Sequence, residues 1–138
     1  MIFCGNDIIR ISRVQESIEK IGETFLKRVY TEEEISYCES RRMRKYQSYA
    51  ARFAAKEAVY KALAPKTSKE VEWKNIEIKR EKNGNPYIEL HGKLKEIAEE
   101  KGINAMDISL SHDGDYAMDT VVAQIYSMFK CKYMTRRI

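Results

Sequence analysis

The sequence predicts an α+β fold: an antiparallel sheet built from hairpins, with helices packed against it. Three observations carry this. "WKNIEIKREKNGNPYIEL" alternates apolar and polar residues on both sides of Asn83-Gly84. "MDISLSHDGDYAMDTVVAQIYS" does the same around Asp113-Gly114. Alternation about such a dipeptide signals a hairpin, and hairpins make neighbouring strands antiparallel. The third is an Ala-rich segment without Gly or Pro, from about Arg42 to Ala64, which predicts a long helix stopped by Pro65. Strands from hairpins plus separate helices give α+β.

The remaining elements follow in chain order. "MIFCG" is a short apolar run and predicts a first strand ending at Gly5. Ser12 followed by Gln15 has capping-box spacing and starts a helix with Val14, Ile18 and Ile21 at helical intervals, ended by Gly22. Thr31 and Glu34 repeat the signal and open a second helix through Ile35 and Tyr37. After the long third helix and a polar loop comes the first hairpin. A helix from about Lys93 to Lys101 then puts Leu94, Ile97 and Ala98 on one face and stops at Gly102. The second hairpin follows, and then a basic tail from about residue 127 to 138. No repeat or linker divides the chain, so a single domain over 1–138 is expected.

Composition narrows the function. With 43% hydrophobic and 33% charged residues, the 138-residue chain is of globular rather than disordered type. No apolar run approaches the roughly 20 residues of a membrane span. "MIFCGNDIIR" reaches Asp7 without a basic leader, so no signal peptide is expected there. Cys4, Cys38 and Cys131 are widely spaced and read as reduced, mostly buried thiols of a cytoplasmic protein. Two histidines and no Cys/His cluster speak against structural zinc. Charge is uneven: the segment Arg41 to Lys66 holds eight of the 25 Lys and Arg but only one of the 21 acids, Glu57. A multiply charged anion is the natural partner.

Three polar groups stand on apolar elements. On a helix, Glu57 lies between Phe53 and Ala54 with Lys61 on the same side, while Arg52 and Lys56 form a separate stripe. Ala54, Ala58 and Ala62 line another face where an element could approach closely. A carboxylate buried there needs a cation. It is either the ion-pair partner of Lys61 or a ligand. If the first strand continues, Asp7 shares a face with Phe3, Gly5 and Ile9; otherwise it is a turn or cap residue. His112 alternates with Ile108 and Leu110, which puts its imidazole at the end of a buried row, either as a satisfied structural residue or as a phosphate contact. Two carboxylates from separate elements, completed by water and substrate phosphates, make a hard-cation site of Mg²⁺ type, and nearby Lys, Arg and His would hold the remaining phosphate charge. No Walker loop or GxGxxG motif is present.

"GNDIIRISRV", "RFAAKEAVYKAL" and "SLSHDGDYA" together resemble the holo-[acyl-carrier-protein] synthase family, the small bacterial phosphopantetheinyl transferases. The first two match its paired signature, G-x-D followed some 50 residues later by F-x-x-K-E-x-x-x-K. Weaker likenesses ("VYTEEEI", "WKNIEI", "NGNPYIEL") fall between them in order. The resemblance implies transfer of the 4′-phosphopantetheine arm of coenzyme A to a serine of apo acyl carrier protein, releasing adenosine 3′,5′-bisphosphate. It implies that Asp7 and Glu57 hold Mg²⁺ together with the coenzyme pyrophosphate and waters. Lys61 would sit against the pyrophosphate and assist departure of the bisphosphate, and His112 would contact the coenzyme phosphates. Either Glu57 or a water on the metal would take the serine proton. Arg44, Arg52 and Lys56 become 3′-phosphate or carrier contacts, Arg13 a contact to the acidic recognition helix of the carrier. A homotrimer with active sites between subunits is implied as well, with neither a membrane nor nucleic acid as partner. The chain departs from the family pattern at "APKTSK", Ala64 to Lys69, where a Gly-Thr-Gly type turn is common. It departs again at Asn6 and Arg10.

The alternative from another class is a basic nucleic-acid-binding module without catalysis. It accounts for Arg41 to Lys66 but gives Asp7 and Glu57 no task. Its affinity would fall steeply with salt and ignore Mg²⁺ chelation.

Overall fold

The protein is described by a computed structural model covering residues 1–66, 69 and 71–126. The expected basic tail with Cys131, and residues 67 and 68 of the loop Ala64 to Lys69, lie outside the described residues. The elements are β1 (Ile2–Arg10), α1 (Ile11–Ile21), α2 (Glu23–Val29), α3 (Glu32–Ser40), α4 (Lys45–Leu63), β2 (Ile76–Arg80), β3 (Pro86–Leu90), α5 (Gly92–Glu100), β4 (Ala105–Asp113) and β5 (Tyr116–Gln124). Strands β1, β5 and β4 form an antiparallel sheet in that order, and β2 pairs with β3 in a separate hairpin. The class is α+β, as the sequence predicts.

Both hairpins form, with different turns. Asp113 pairs with Tyr116, so two residues connect β4 and β5, with Gly114 at φ 53° in the first central position. The β2–β3 loop is longer: Glu81 N–H bonds Asn85 O and Gly84 N–H bonds Glu81 O, both at 2.9 Å. The first strand does not end at Gly5. It continues to Arg10, with Phe3, Gly5, Asp7 and Ile9 on the inner face. A helix the sequence reading did not anticipate, α2, follows Gly22, which closes α1 and also opens α2. Ser12 is not a cap, because α1 begins at Ile11 without a side-chain cap bond. Ile21 is exposed rather than packed. Thr31 and Glu34 do make a capping box at α3, with both reciprocal bonds present. The predicted third helix splits into a 3₁₀ turn, Arg42–Arg44, and α4. Ala64, at φ 41°, takes the left-handed position that ends α4, and the Lys101 ammonium bonds the carbonyl of Leu63, the last residue of the helix.

Helix α4 lies across the inner face of the three-stranded sheet and divides the core. One cluster joins Ala55, Ala58, Val59, Ala62 and Leu63 to Ile76, Ile78, Leu94, Ile108 and Val121. The other joins Ala50, Ala54 and Tyr49 to Ile9, Val14, Ile18 and Tyr30. The approach of α4 to β1 is close enough to require glycine: a Cβ on Gly5 would fall 2.0 Å from Ala58 O and 2.8 Å from Ala62 N. The alanine face of α4 and Gly5 are two halves of one contact. Cys38 is buried, but Cys4 is exposed on the outer face of β1, contrary to the expectation of mostly buried thiols.

Candidate active site

The site is built where α4 crosses β1. Asp7 points inward from the strand, and Lys61 reaches it across the Gly5 contact. Lys61 Nζ lies 2.8 Å from Asp7 Oδ1 and 3.0 Å from Asn6 O. The Asp7 side chain is 17% exposed and that of Lys61 51%, so the pair sits at the solvent edge of the α4–β1 contact. Glu57, one turn before Lys61, is half-buried. Its pKa is raised, first by burial and then by the neighbouring Asp7, with Lys61 pulling the other way. Lys61 therefore bonds Asp7 and not Glu57, and among the described residues Glu57 has no hydrogen-bond or ion-pair partner. The local i,i+4 pair that the sequence allowed does not form.

The sheet register aligns the inner faces in rows. Asp7 stands beside Asp119, which stands beside Leu110; Ile9, Ala117 and His112 form the next row. Asp119 is fully buried, and neither carboxylate oxygen has a hydrogen-bond partner. Burial above all, then the proximity of Asp7, pushes its pKa up to about 8. His112 shares the inner face with Ile108 and Leu110 but is exposed at the end of the row, where Gln47 donates to its Nδ1 at 3.0 Å. Two strand spacings and two residues separate His112 from Asp7, about 12 Å from sheet geometry. A ligand touching both must be extended.

Known proteins resemble this chain over most of its length. A family model described as the 4′-phosphopantetheinyl transferase superfamily matches residues 3–121. A holo-[acyl-carrier-protein] synthase of Ruminiclostridium cellulolyticum is 45% identical over 128 residues, spanning 93% of this chain and 96% of the relative. The chain belongs to the holo-[acyl-carrier-protein] synthase family. Solved structures of similar proteins include an ACPS–CoA complex from Chronobacterium ammoniagenes (TM-score 0.82, 26% identity, 92% of this chain and 99% of that one). A holo-[acyl-carrier-protein] synthase of Helicobacter pylori in complex with coenzyme A has TM-score 0.76 at 32% identity, covering 88% and 99%.

Not every cation of this phosphopantetheinyl transferase that the sequence nominated is available to a ligand. Lys56 is fully buried, with Nζ 2.7 Å from Glu34 Oε1, 2.5 Å from Ile76 O and 3.2 Å from Trp73 O. All three ammonium protons are used, so the expected coenzyme contact is corrected: Lys56 ties α4 to α3 and to the start of β2. Burial still draws its pKa down, against the pull of Glu34. Arg52 is buried too, its guanidinium 4.1 Å from the Tyr37 ring centroid. It lines a cleft of about 260 Å³ with Tyr37, Lys79 and Arg80, whose lining does not include Asp7, Glu57 or Lys61. Arg44 is exposed just before α4, at the same end of that helix as Gln47 and His112. Arg13 is exposed on α1.

Asp119 is the residue that sequence reasoning missed. Its only signal was an acid at an inner position of an alternating strand. A second acidic group, Glu77, Glu89 and His91, brings donor atoms within 4.8 Å of one another. Lys79 Nζ already lies 3.3 Å from Glu89 and 3.9 Å from Glu77, and Thr31 donates to Glu77 at 2.7 Å. Lys79 is shared with Glu33 as well, so part of the charge of this group is met within the chain.

Proposed function

We propose that the protein transfers the 4′-phosphopantetheine group of coenzyme A to a serine of apo acyl carrier protein, with Mg²⁺ held by Asp7 and Glu57 and with adenosine 3′,5′-bisphosphate released. The observation that carries this reading is the Gly5 contact, beside which a carboxylate, a second unpaired carboxylate and an ammonium come together from two elements. The donor set fits a hard cation: oxygen ligands, with an excess of negative charge that Lys61 alone does not balance. Bound there, the ion would neutralise phosphate charge as the phosphorus–oxygen bonds change.

The remaining steps belong to the chain. Lys61, half-exposed beside Asp7, turns to the pyrophosphate and stabilises the leaving bisphosphate. Glu57 has no bonded partner among the described residues, and either it or a water on the metal takes the serine proton. His112 and Arg44, at the far end of α4, meet the distal phosphate of an extended donor. Arg13 faces the acidic carrier. The alternative nucleic-acid surface loses two of its eight cations to the interior, because Arg52 and Lys56 are buried.

The outer face of the sheet supports self-association, which we take to be trimeric with sites between subunits. Ile2, Ile8, Met118 and Val122 are all large apolar residues exposed there. An exposed, unpaired Cys4 suits a reducing cytoplasm. No helix among the described residues is long and apolar enough to cross a membrane.

Incubation with coenzyme A, Mg²⁺ and apo carrier protein tests the reading by intact mass. The carrier should gain one phosphopantetheine, and EDTA should prevent the gain. No gain with several bacterial-type carriers would overturn it.

A further inference from the structure

We propose that Asp119 is a third carboxylate of the metal site, holding the ion together with Asp7 and Glu57. The inference rests on the Mg²⁺ reading above and extends it to a residue outside the family signature quoted above.

Three observations converge on Asp119. It is the direct cross-strand neighbour of Asp7, with both side chains on the inner face under α4. Side chains so paired stand about 5 Å apart at Cβ, and like charges placed opposite each other repel. Its two oxygens are buried and make no hydrogen bond. On its other side the register offers only the apolar Leu110. A native chain seldom buries a carboxyl group with neither oxygen satisfied, and an ion or ordered water is the usual resolution.

Neither cation near it bonds it. Lys61 bonds Asp7 and the Asn6 carbonyl. Arg52 exerts a favourable field and stacks on Tyr37, and its buried Nε has no hydrogen-bond partner, Asp119 included. Asp7 is thus the common neighbour of two acids, Glu57 and Asp119, neither of which has a bonded counter-ion. One divalent ion beside Asp7 answers all three. Mg²⁺ and Mn²⁺ both favour such an oxygen set.

The test uses the full chain without coenzyme A and reads binding of Mn²⁺ alone, by loss of the free-ion EPR signal. It compares the wild type with Asp119→Asn, Asp119→Ala and, as control, Asp7→Asn. Melting in EDTA, with and without added Mn²⁺, confirms that each variant is folded and gives a second readout. We expect both Asp119 variants to bind Mn²⁺ about tenfold or more weakly, the scale seen when a supporting group of a metal site is removed. They should also lose most of the Mn²⁺-induced rise in melting temperature. Asp119→Asn keeps the shape of a protonated carboxyl group. Wild-type affinity in that variant, with Asp7→Asn weakened, would overturn the role of Asp119 alone. Wild-type affinity in Asp7→Asn and both Asp119 variants would overturn the metal assignment to Asp7 and, with it, this extension.

Discussion

Glu57→Gln separates the two readings of that side chain. It has no bonded partner to lose, so the variant should melt within about 0.5 kcal/mol of the wild type while transfer to the carrier falls by at least about a hundredfold. Mass spectrometry of the carrier and a denaturant melt check both halves. Lys56→Met should behave in the opposite way. It strands Glu34 as a buried charge, and removing one partner of such a pair costs about 3–5 kcal/mol. The loss would appear as a lower denaturant midpoint. The cysteines differ as well. Burial pushes the Cys38 thiol up to about 12, above its ordinary value of 9.0. A folded pKa above the unfolded one means that its contribution is complete below about pH 9 and is lost as pH rises towards 12. Stability should therefore decline across that window, and less steeply in Cys38→Ala, as followed by urea melts at several pH values.

At the scale of elements, the Gly5 contact governs how α4 lies on β1. Gly5→Ala has no flexible neighbour to displace, since both clashing atoms are backbone. It should cost at least the upper end of the roughly 1–3 kcal/mol of ordinary overpacking, and weaken transfer by moving Lys61 away from Asp7. Thermal melting and the carrier assay would register the two effects. Much of this arrangement was legible beforehand. Periodicity gave the hairpins and α5, the lack of Gly and Pro gave the long helix, and the alanine face announced a close neighbour. What was not legible depended on distant partners. Lys56 read as a ligand contact because Glu34 lies 22 positions away on another helix. Asp119 became conspicuous only once the register set it beside Asp7. Helix α2 is just seven residues long and follows a glycine that reads as a terminator.

For the whole molecule, charge and composition constrained the partner better than the site. The basic segment pointed to an anion, yet part of it serves the interior: Arg52 on Tyr37, Lys56 on Glu34. The exposed apolar face of the sheet gives the prediction that belongs at this scale. Val122→Lys combined with Ile8→Lys should leave each chain folded but shift the proposed trimer to monomer, measured by light scattering after gel filtration. Transfer should fall with it if the sites lie between subunits.

Strand β1 assigns its residues by parity. Phe3, Gly5, Asp7 and Ile9 turn towards α4, and Ile2, Cys4, Asn6 and Ile8 turn away. Sliding the strand by a single position would put Asp7 outside, carry Ile8 beneath the helix and wedge a side chain where only Gly5 fits. No such slip could be partial. One stretch of nine residues thus acts as a code read on alternate letters, with the proposed chemistry on one face and the proposed assembly on the other, so a frame error in pairing would silence both messages at once.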